Sequence, residues 1–168
     1  MTLWLVGMMG SGKTSAGLLA AERLGVPFID VDEEIASGQG SSIPEMWAEL
    51  GERGFREMET AAIERVAGSH AIVSTGGGAV LDASNRHRMK TSGTVVWLRA
   101  RPAVLAARLL ASGSRRPLLD DHPDRGGRVA ELLVERAPAY DDAADYEIDT
   151  SELSVEEVAM RIEGLWRP

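Results

Sequence analysis

The sequence predicts an α/β domain built around a parallel sheet, and three observations carry that expectation. Short apolar runs alternate with longer segments of helical spacing, the pattern of repeated strand–helix–strand units whose crossover helices cover the sheet. Between the first apolar run and the first helical segment lie Gly7-Met8-Met9-Gly10-Ser11-Gly12-Lys13-Thr14, which fit the G-x-x-x-x-G-K-[ST] phosphate-binding loop in its proper strand-to-helix context. The length, 168 residues, suits one domain spanning 1–168 with a sizeable core.

The elements follow in order. Leu3–Val6 is an unbroken apolar run and the first strand; Ser15–Leu24, rich in Ala and Leu, is the helix after the loop. Pro27–Asp30 is the second strand and ends in Asp30-Val31-Asp32. Ser37 to Ser42 reads as a flexible joint, with Ser42 as the N-cap of a long helix over Ile43–Val66. Ala71–Ser74 is the third strand, followed by Gly76-Gly77-Gly78 and a helix over Ala83–Lys90. Thr94–Leu98 and Tyr146–Ile148 complete five strands, with helices over Ala103–Ala111, Arg128–Tyr140 and Val155–Trp166. Ser112 to Gly127 has little periodicity, and its arginines suggest a lid closing over phosphates. Five strands with helices on both faces is the simplest closure.

Composition excludes several classes. Net charge is −8, from 26 acidic and 18 basic residues, which argues against nucleic-acid or acidic-membrane binding. No apolar stretch approaches the ~20 residues of a membrane span. The N-terminus runs straight into the first strand, which leaves no room for a signal peptide. With no cysteine, disulfides and thiolate metal sites are excluded, and a cytoplasmic protein is expected. The basic residues cluster: Arg99, Arg101, Arg108, Arg115, Arg116, Arg125 and Arg128 point to a local anion site.

In the loop, backbone N–H groups and the N-terminus of the following helix would cradle phosphate. Lys13 would reach the β- and γ-phosphates and the Thr14 hydroxyl would ligate Mg²⁺. Strand alternation would put Asp30 and Asp32 on one side, at the strand end that borders the ligand crevice. One could hold Mg²⁺ and the other take a proton from an attacking hydroxyl, or the pair could simply open an acidic helix through Glu33 and Glu34. Arg56 and Glu59 share a helix face: an exposed ion pair is the commoner case, and an arginine steadied for a substrate carboxylate is the functional one. Three glycines after a strand let a ligand approach bare backbone. Arg116, before Pro117, could meet charge on a transferring phosphoryl group. Arg136, taken alone, reads as compensation of a helix C-terminus. His70, His87 and His122 lack metal-ligand spacing and read as surface residues.

Taken in order, these residues resemble the shikimate kinase family over nearly the whole chain. The quoted set is the phosphate loop, Phe28-Ile29-Asp30-Val31-Asp32, Phe55-Arg56-Glu57-Met58-Glu59, Gly76-Gly77-Gly78, Arg116-Pro117-Leu118-Leu119 and Arg136-Ala137-Pro138-Ala139-Tyr140. The resemblance implies transfer of the ATP γ-phosphoryl group to the 3-hydroxyl of shikimate, a step of aromatic amino-acid synthesis. It also implies a three-layer α/β/α P-loop kinase fold with strand order 2-3-1-4-5, a substrate-binding segment near 31–62 and a mobile lid near 112–127. Asp32 would contact the shikimate hydroxyls and align or deprotonate the nucleophile, while Arg56, Arg136 and the Gly77/Gly78 backbone hold the substrate. Gly10, Ser11, Gly12, Lys13, Thr14, Ser15, Arg108 and Arg116 would bind ATP, and Thr14 with Asp30 would organise Mg²⁺. Lys13, Asp32 and Arg116 would be catalytic, and Glu59 would orient Arg56. Trp47 stands where the family pattern leads one to expect phenylalanine, and Glu152 lies in the adenine loop. A monomer is expected. A gluconate kinase and a non-catalytic nucleotide-binding module are the competing expectations.

Overall fold

At the centre of the molecule β1 (Thr2–Val6) is buried along its whole length, as an apolar run flanked by parallel neighbours should be. The computed structural model describes residues 1–112, 117–120 and 122–167. β1 pairs with β3 (Ile72–Ser74) and β4 (Gly93–Arg99); β2 (Phe28–Asp30) and β5 (Tyr146–Asp149) close the edges, giving the all-parallel order β2-β3-β1-β4-β5. This is the expected fold, and period-two alternation explains its layers. Leu3 and Leu5 point into one apolar cluster with α1 (Lys13–Leu24) and α8 (Val155–Leu165). Trp4 and Val6 point into the other, with α3 (Ile43–Val66) and α7 (Arg125–Ala143). Helices α4 (Ala83–Ser92) and α5 (Pro102–Ser112) complete the crossovers.

Three local features depart from the sequence reading, and each bears on the site. α2 (Val31–Gln39) begins directly on β2, with the Asp30 carboxylate accepting from the Asp32 N–H at 3.1 Å as N-cap. Its acidic first turn (Asp32, Glu33, Glu34) suits the positive end of the helix dipole. Asp30 and Asp32 are therefore brought together by a strand-to-helix turn rather than by strand alternation, and the joint after α2 shrinks to the few residues before Ser42. Ser42 does cap α3, in a reciprocal box with Glu45. Inside α3, Gly51 sits at φ 68°, ψ 179° and kinks the helix, so Trp47 before it and Phe55 after it can converge.

The stretch 112–127 is not structureless throughout. Pro117–Asp120 forms a short helix, α6, and α7 starts at Arg125 because the Asp124 carboxylate caps the Gly127 N–H at 2.8 Å. Arg116 lies outside the described residues.

Candidate active site

Gly12 turns the chain from loop into α1 at φ 93°, a left-handed conformation that a residue with a Cβ adopts only at a cost. That turn lets Lys13 fold back over its own loop. Its ammonium donates to the carbonyls of Gly7 (2.8 Å) and Met8 (3.0 Å), so the charge is held at the loop's mouth. Beside it the Thr14 hydroxyl donates to Asp30 Oδ2 at 2.9 Å. These groups line a cleft of about 420 Å³ together with Gly10, Ser11, Gly12, Ser15 and Asp32. The far wall is Arg108, whose fork donates to the Thr150 carbonyl (2.7 Å) and hydroxyl (3.0 Å). Thr150 is itself buried, with its hydroxyl near Ser11 O (3.2 Å), so it ties the β5 end to the phosphate loop. Glu152 is paired instead with Arg101 on the exposed rim.

A second, smaller pocket of about 70 Å³ opens beside the cleft, lined by Asp32, Trp47, Phe55, Arg56, Glu59, Gly76, Gly77, Gly78, Leu118 and Arg136, among others. Arg56 donates to Glu59 Oε2 at 2.7 Å, and Glu59 is fully buried, so this is not the exposed ion pair of the commoner case. The Arg56 guanidinium also lies 5.5 Å from the Trp47 ring centre and 5.7 Å from that of Phe55, close enough for cation–π attraction. The glycines are there for close approach. A Cβ on Gly76 would stand 2.2 Å from Glu59 Oε1, and one on Gly78 would stand 2.2 Å from Arg56 Nη2.

Arg136 is buried at 3% exposure and donates to the Gly77 carbonyl at 3.0 Å, which overturns the expectation of helix-end compensation. Its Nε has no hydrogen-bond partner among the described residues. The Tyr140 hydroxyl donates to the same carbonyl at 2.5 Å, and its ring stacks on Trp97 with centres 5.4 Å apart. Burial pushes the Tyr140 phenol up, beyond any physiological range. Burial also raises the Glu59 carboxyl from 4.5 to about 6, against the lowering pull of Arg56; the Asp32 charge adds to the rise and Arg136 opposes it.

Asp32 lines both pockets and so stands where they meet. Lys13, Thr14, Asp30 and Arg108 line the first pocket, Arg56, Gly78 and Arg136 line the second, and Gly77, like Asp32, lines both. The three histidines line neither. Thr150, Met9 and Ile43 belong to the site without having been singled out; a buried threonine, a loop methionine and an apolar helix start carry no chemical signal in a sequence. Among the described residues no group of three His, Cys, Asp or Glu side chains could hold a metal. The Thr14–Asp30 pair fits a Mg²⁺ ion that takes its remaining ligands from phosphate and water.

A parallel sheet with a phosphate loop after its central strand, and a second pocket furnished with two arginines and an aspartate, define a P-loop kinase acting on a small molecule. The shikimate kinase family model matches residues 9–164, and the chain belongs to that family. It is 43% identical to a shikimate kinase of Symbiobacterium thermophilum over 96% of this chain and 94% of that protein. A shikimate kinase of Xanthomonas campestris is 41% identical, over 98% and 93% respectively. Among solved structures, shikimate kinase from Acinetobacter baumannii in complex with shikimate superposes with a TM-score of 0.90 at 36% identity, covering 96% of this chain and 89% of the other. A gluconokinase from Sinorhizobium meliloti, at 21% identity and a TM-score of 0.56, shares the fold alone.

Proposed function

We propose that the protein transfers the γ-phosphoryl group of ATP to the 3-hydroxyl of shikimate, giving shikimate 3-phosphate and ADP, with Asp32 at the meeting point of the two substrates. The single observation behind this reading is that Asp32 lines both the phosphate-loop cleft and the Arg56–Arg136 pocket. Shikimate carries one carboxylate and three hydroxyls. Arg56, steadied by Glu59, and Arg136, with its unpartnered Nε, suit the carboxylate; Asp32 and the Gly77–Gly78 backbone suit the ring hydroxyls.

In the reaction the 3-hydroxyl oxygen bonds to the γ-phosphorus as the bond from that phosphorus to the β–γ bridging oxygen breaks, and ADP leaves with that oxygen. Asp32 aligns the hydroxyl and accepts its proton. Lys13 relocates from the loop carbonyls toward the β- and γ-phosphates, and Arg108 closes the base side of the cleft. Bound Mg²⁺ neutralises phosphate charge, and Thr14 with Asp30 would hold it. Arg116 belongs to the same set as the lid arginine. Residues 1–168 act as one unit, with 31–62 as the substrate-binding segment and 112–127 as the lid. A cytoplasmic monomer fits this role, and no helix among the described residues is long and apolar enough to cross a membrane.

A coupled assay of ADP release with shikimate, with gluconate and with no acceptor tests the reading. Rapid release with shikimate alone supports it. Release with gluconate but not shikimate overturns the acceptor, and no release with any acceptor favours a nucleotide-binding module.

A further inference from the structure

The glycine triplet leads straight into a 3₁₀ turn, Ala79–Leu81, whose three carbonyls are all taken by side chains of α4. Asn85, buried, donates to Ala79 O at 3.1 Å. Arg86 donates from Nη1 to Val80 O at 2.8 Å and, more weakly, to Leu81 O at 3.3 Å. The other edge of the same guanidinium reaches across to α7, where Nε donates to Asp142 Oδ2 at 2.5 Å. Lys90, one turn further along α4, donates to the Asp142 backbone carbonyl. Asp142 lies two residues beyond Tyr140 and six beyond Arg136, the two residues that donate to Gly77 O.

These bonds close a ring. From Gly77 the chain runs into the turn, the turn is held by Arg86, Arg86 is held by Asp142, and α7 returns through Tyr140 and Arg136 to Gly77. Leu81, 46% exposed, could leave its carbonyl to water, whereas Val80 is buried and its carbonyl takes the stronger bond from Arg86. An ion pair whose acid is 59% exposed adds little to stability. What the ring does fix is the distance between two parts of the acceptor pocket that come from different elements, the Gly77–Gly78 backbone and the Arg136 fork.

We propose that Arg86 is a positioning residue for the acceptor pocket: by clamping the turn after the glycine triplet to the C-terminal end of α7, it sets the spacing between the Gly77–Gly78 backbone and Arg136. This rests on the assignment of that pocket to the acceptor. Arg86 touches no substrate, and its effect passes through the backbone it holds. The two walls carry groups that must meet one small ligand together, so a shift of one wall relative to the other is felt in binding.

The test compares Arg86→Ala, Arg86→Lys and Asp142→Ala in the full chain, measuring kcat, both KM values and the melting temperature. Arg86→Ala should raise the shikimate KM by about 3- to 10-fold, less than the ~10²-fold that a full 1 Å misplacement can bring. The ATP KM should stay within about twofold, because of the ring's members only Gly77 borders the nucleotide cleft, and Lys13, Thr14 and Arg108 lie outside the ring. Asp142→Ala, at an exposed surface position, should reproduce the direction even if Arg86→Ala folds poorly. Arg86→Lys should recover part of the loss, since it keeps the charge opposite Asp142 but not the fork. An unchanged shikimate KM in both alanine variants overturns the proposal, as does an equal rise in both KM values or a fall in melting temperature alone. Absence of shikimate turnover in the unmodified protein overturns instead the assignment of the pocket.

Discussion

The nucleotide cleft and the acceptor pocket share Asp32, with Met9 and Gly77 beside it, but are assembled differently. The phosphate cradle comes from residues 7–15, a single strand-to-helix turn whose backbone makes the site and whose lysine is held by carbonyls five and six residues away. The acceptor pocket instead gathers side chains from the phosphate loop's Met9, α2, both arms of the kinked α3, α6 and α7 around the bare backbone of the glycine triplet. The first needs only local geometry. The second needs the tertiary fold to be right before any of its groups meet, and it buries the Glu59 carboxylate and the Arg136 guanidinium and half-buries that of Arg56 to do so. On the proposed assignment, local construction gives a phosphate site that many acceptors could use, and distributed construction gives the choice of acceptor.

Asp32 belongs to both halves, so its loss should have the largest effect and should fall on the step that joins them. Asp32→Asn should lower kcat by ~10²-fold or more, the usual scale for a group that aligns and deprotonates a nucleophile. Binding of ADP and of shikimate, each measured alone, should change far less. Near-normal turnover would remove Asp32 from the reaction.

The next contrast is electrostatic, because the acceptor half alone holds a buried carboxyl raised to about 6. A carboxyl that binds its proton more tightly in the folded state stabilises the fold at low pH, and that contribution is lost as pH rises from 4.5 to about 6. The loss amounts to about 2 kcal/mol. Urea unfolding of the native protein and of Glu59→Gln at pH 4.5 and 6.5 isolates it: relative to the variant, the native protein should weaken over that interval. Parallel pH profiles would show that Glu59 ionises in the fold as freely as in the unfolded chain.

A smaller effect separates two uses of glycine. Gly78 has φ −107°, which any residue adopts, so Gly78→Ala should fold; its Cβ would nevertheless stand 2.2 Å from Arg56 Nη2 and force the guanidinium aside. The shikimate KM should rise by about tenfold, the scale of one charge-assisted hydrogen bond, with the ATP KM unchanged. Gly12, by contrast, has open space around its missing Cβ and is constrained only by its φ of 93°. A Gly12→Ala change should therefore disturb the nucleotide side alone, and the reverse pattern in either variant would undo the division.

The same division explains what could be read from the sequence. The strands, their layers and the phosphate loop were legible because periodicity and one contiguous motif encode them, while the strand order came from the family resemblance. Arg56 and Glu59 were legible as neighbours on a helix, but their burial depends on α3 bending at Gly51 and on Gly76 leaving room for Glu59, neither of which a spacing rule reports. Helix α2 was legible only as an alternative, an acidic helix opened by the aspartates, and its last turn reads as a joint because Ser37-Gly38-Gln39 resembles a linker; it is held by the Asp30 cap and by burial of Val31 and Ile35. Arg136 looked like a helix-end charge until α7 brought it onto Gly77 O, 59 residues away in sequence. Its role in the site came from the family resemblance rather than from its own neighbourhood.

The most direct measurement is a pair of calorimetric titrations, shikimate and ADP each into the native protein and into Arg56→Ala. Loss of a charge-assisted contact to the carboxylate should weaken shikimate binding by about 10- to 100-fold and leave ADP binding within about twofold. Unchanged shikimate affinity, or an equal loss for both ligands, would contradict an acceptor pocket built around Arg56 and separate from the phosphate cradle.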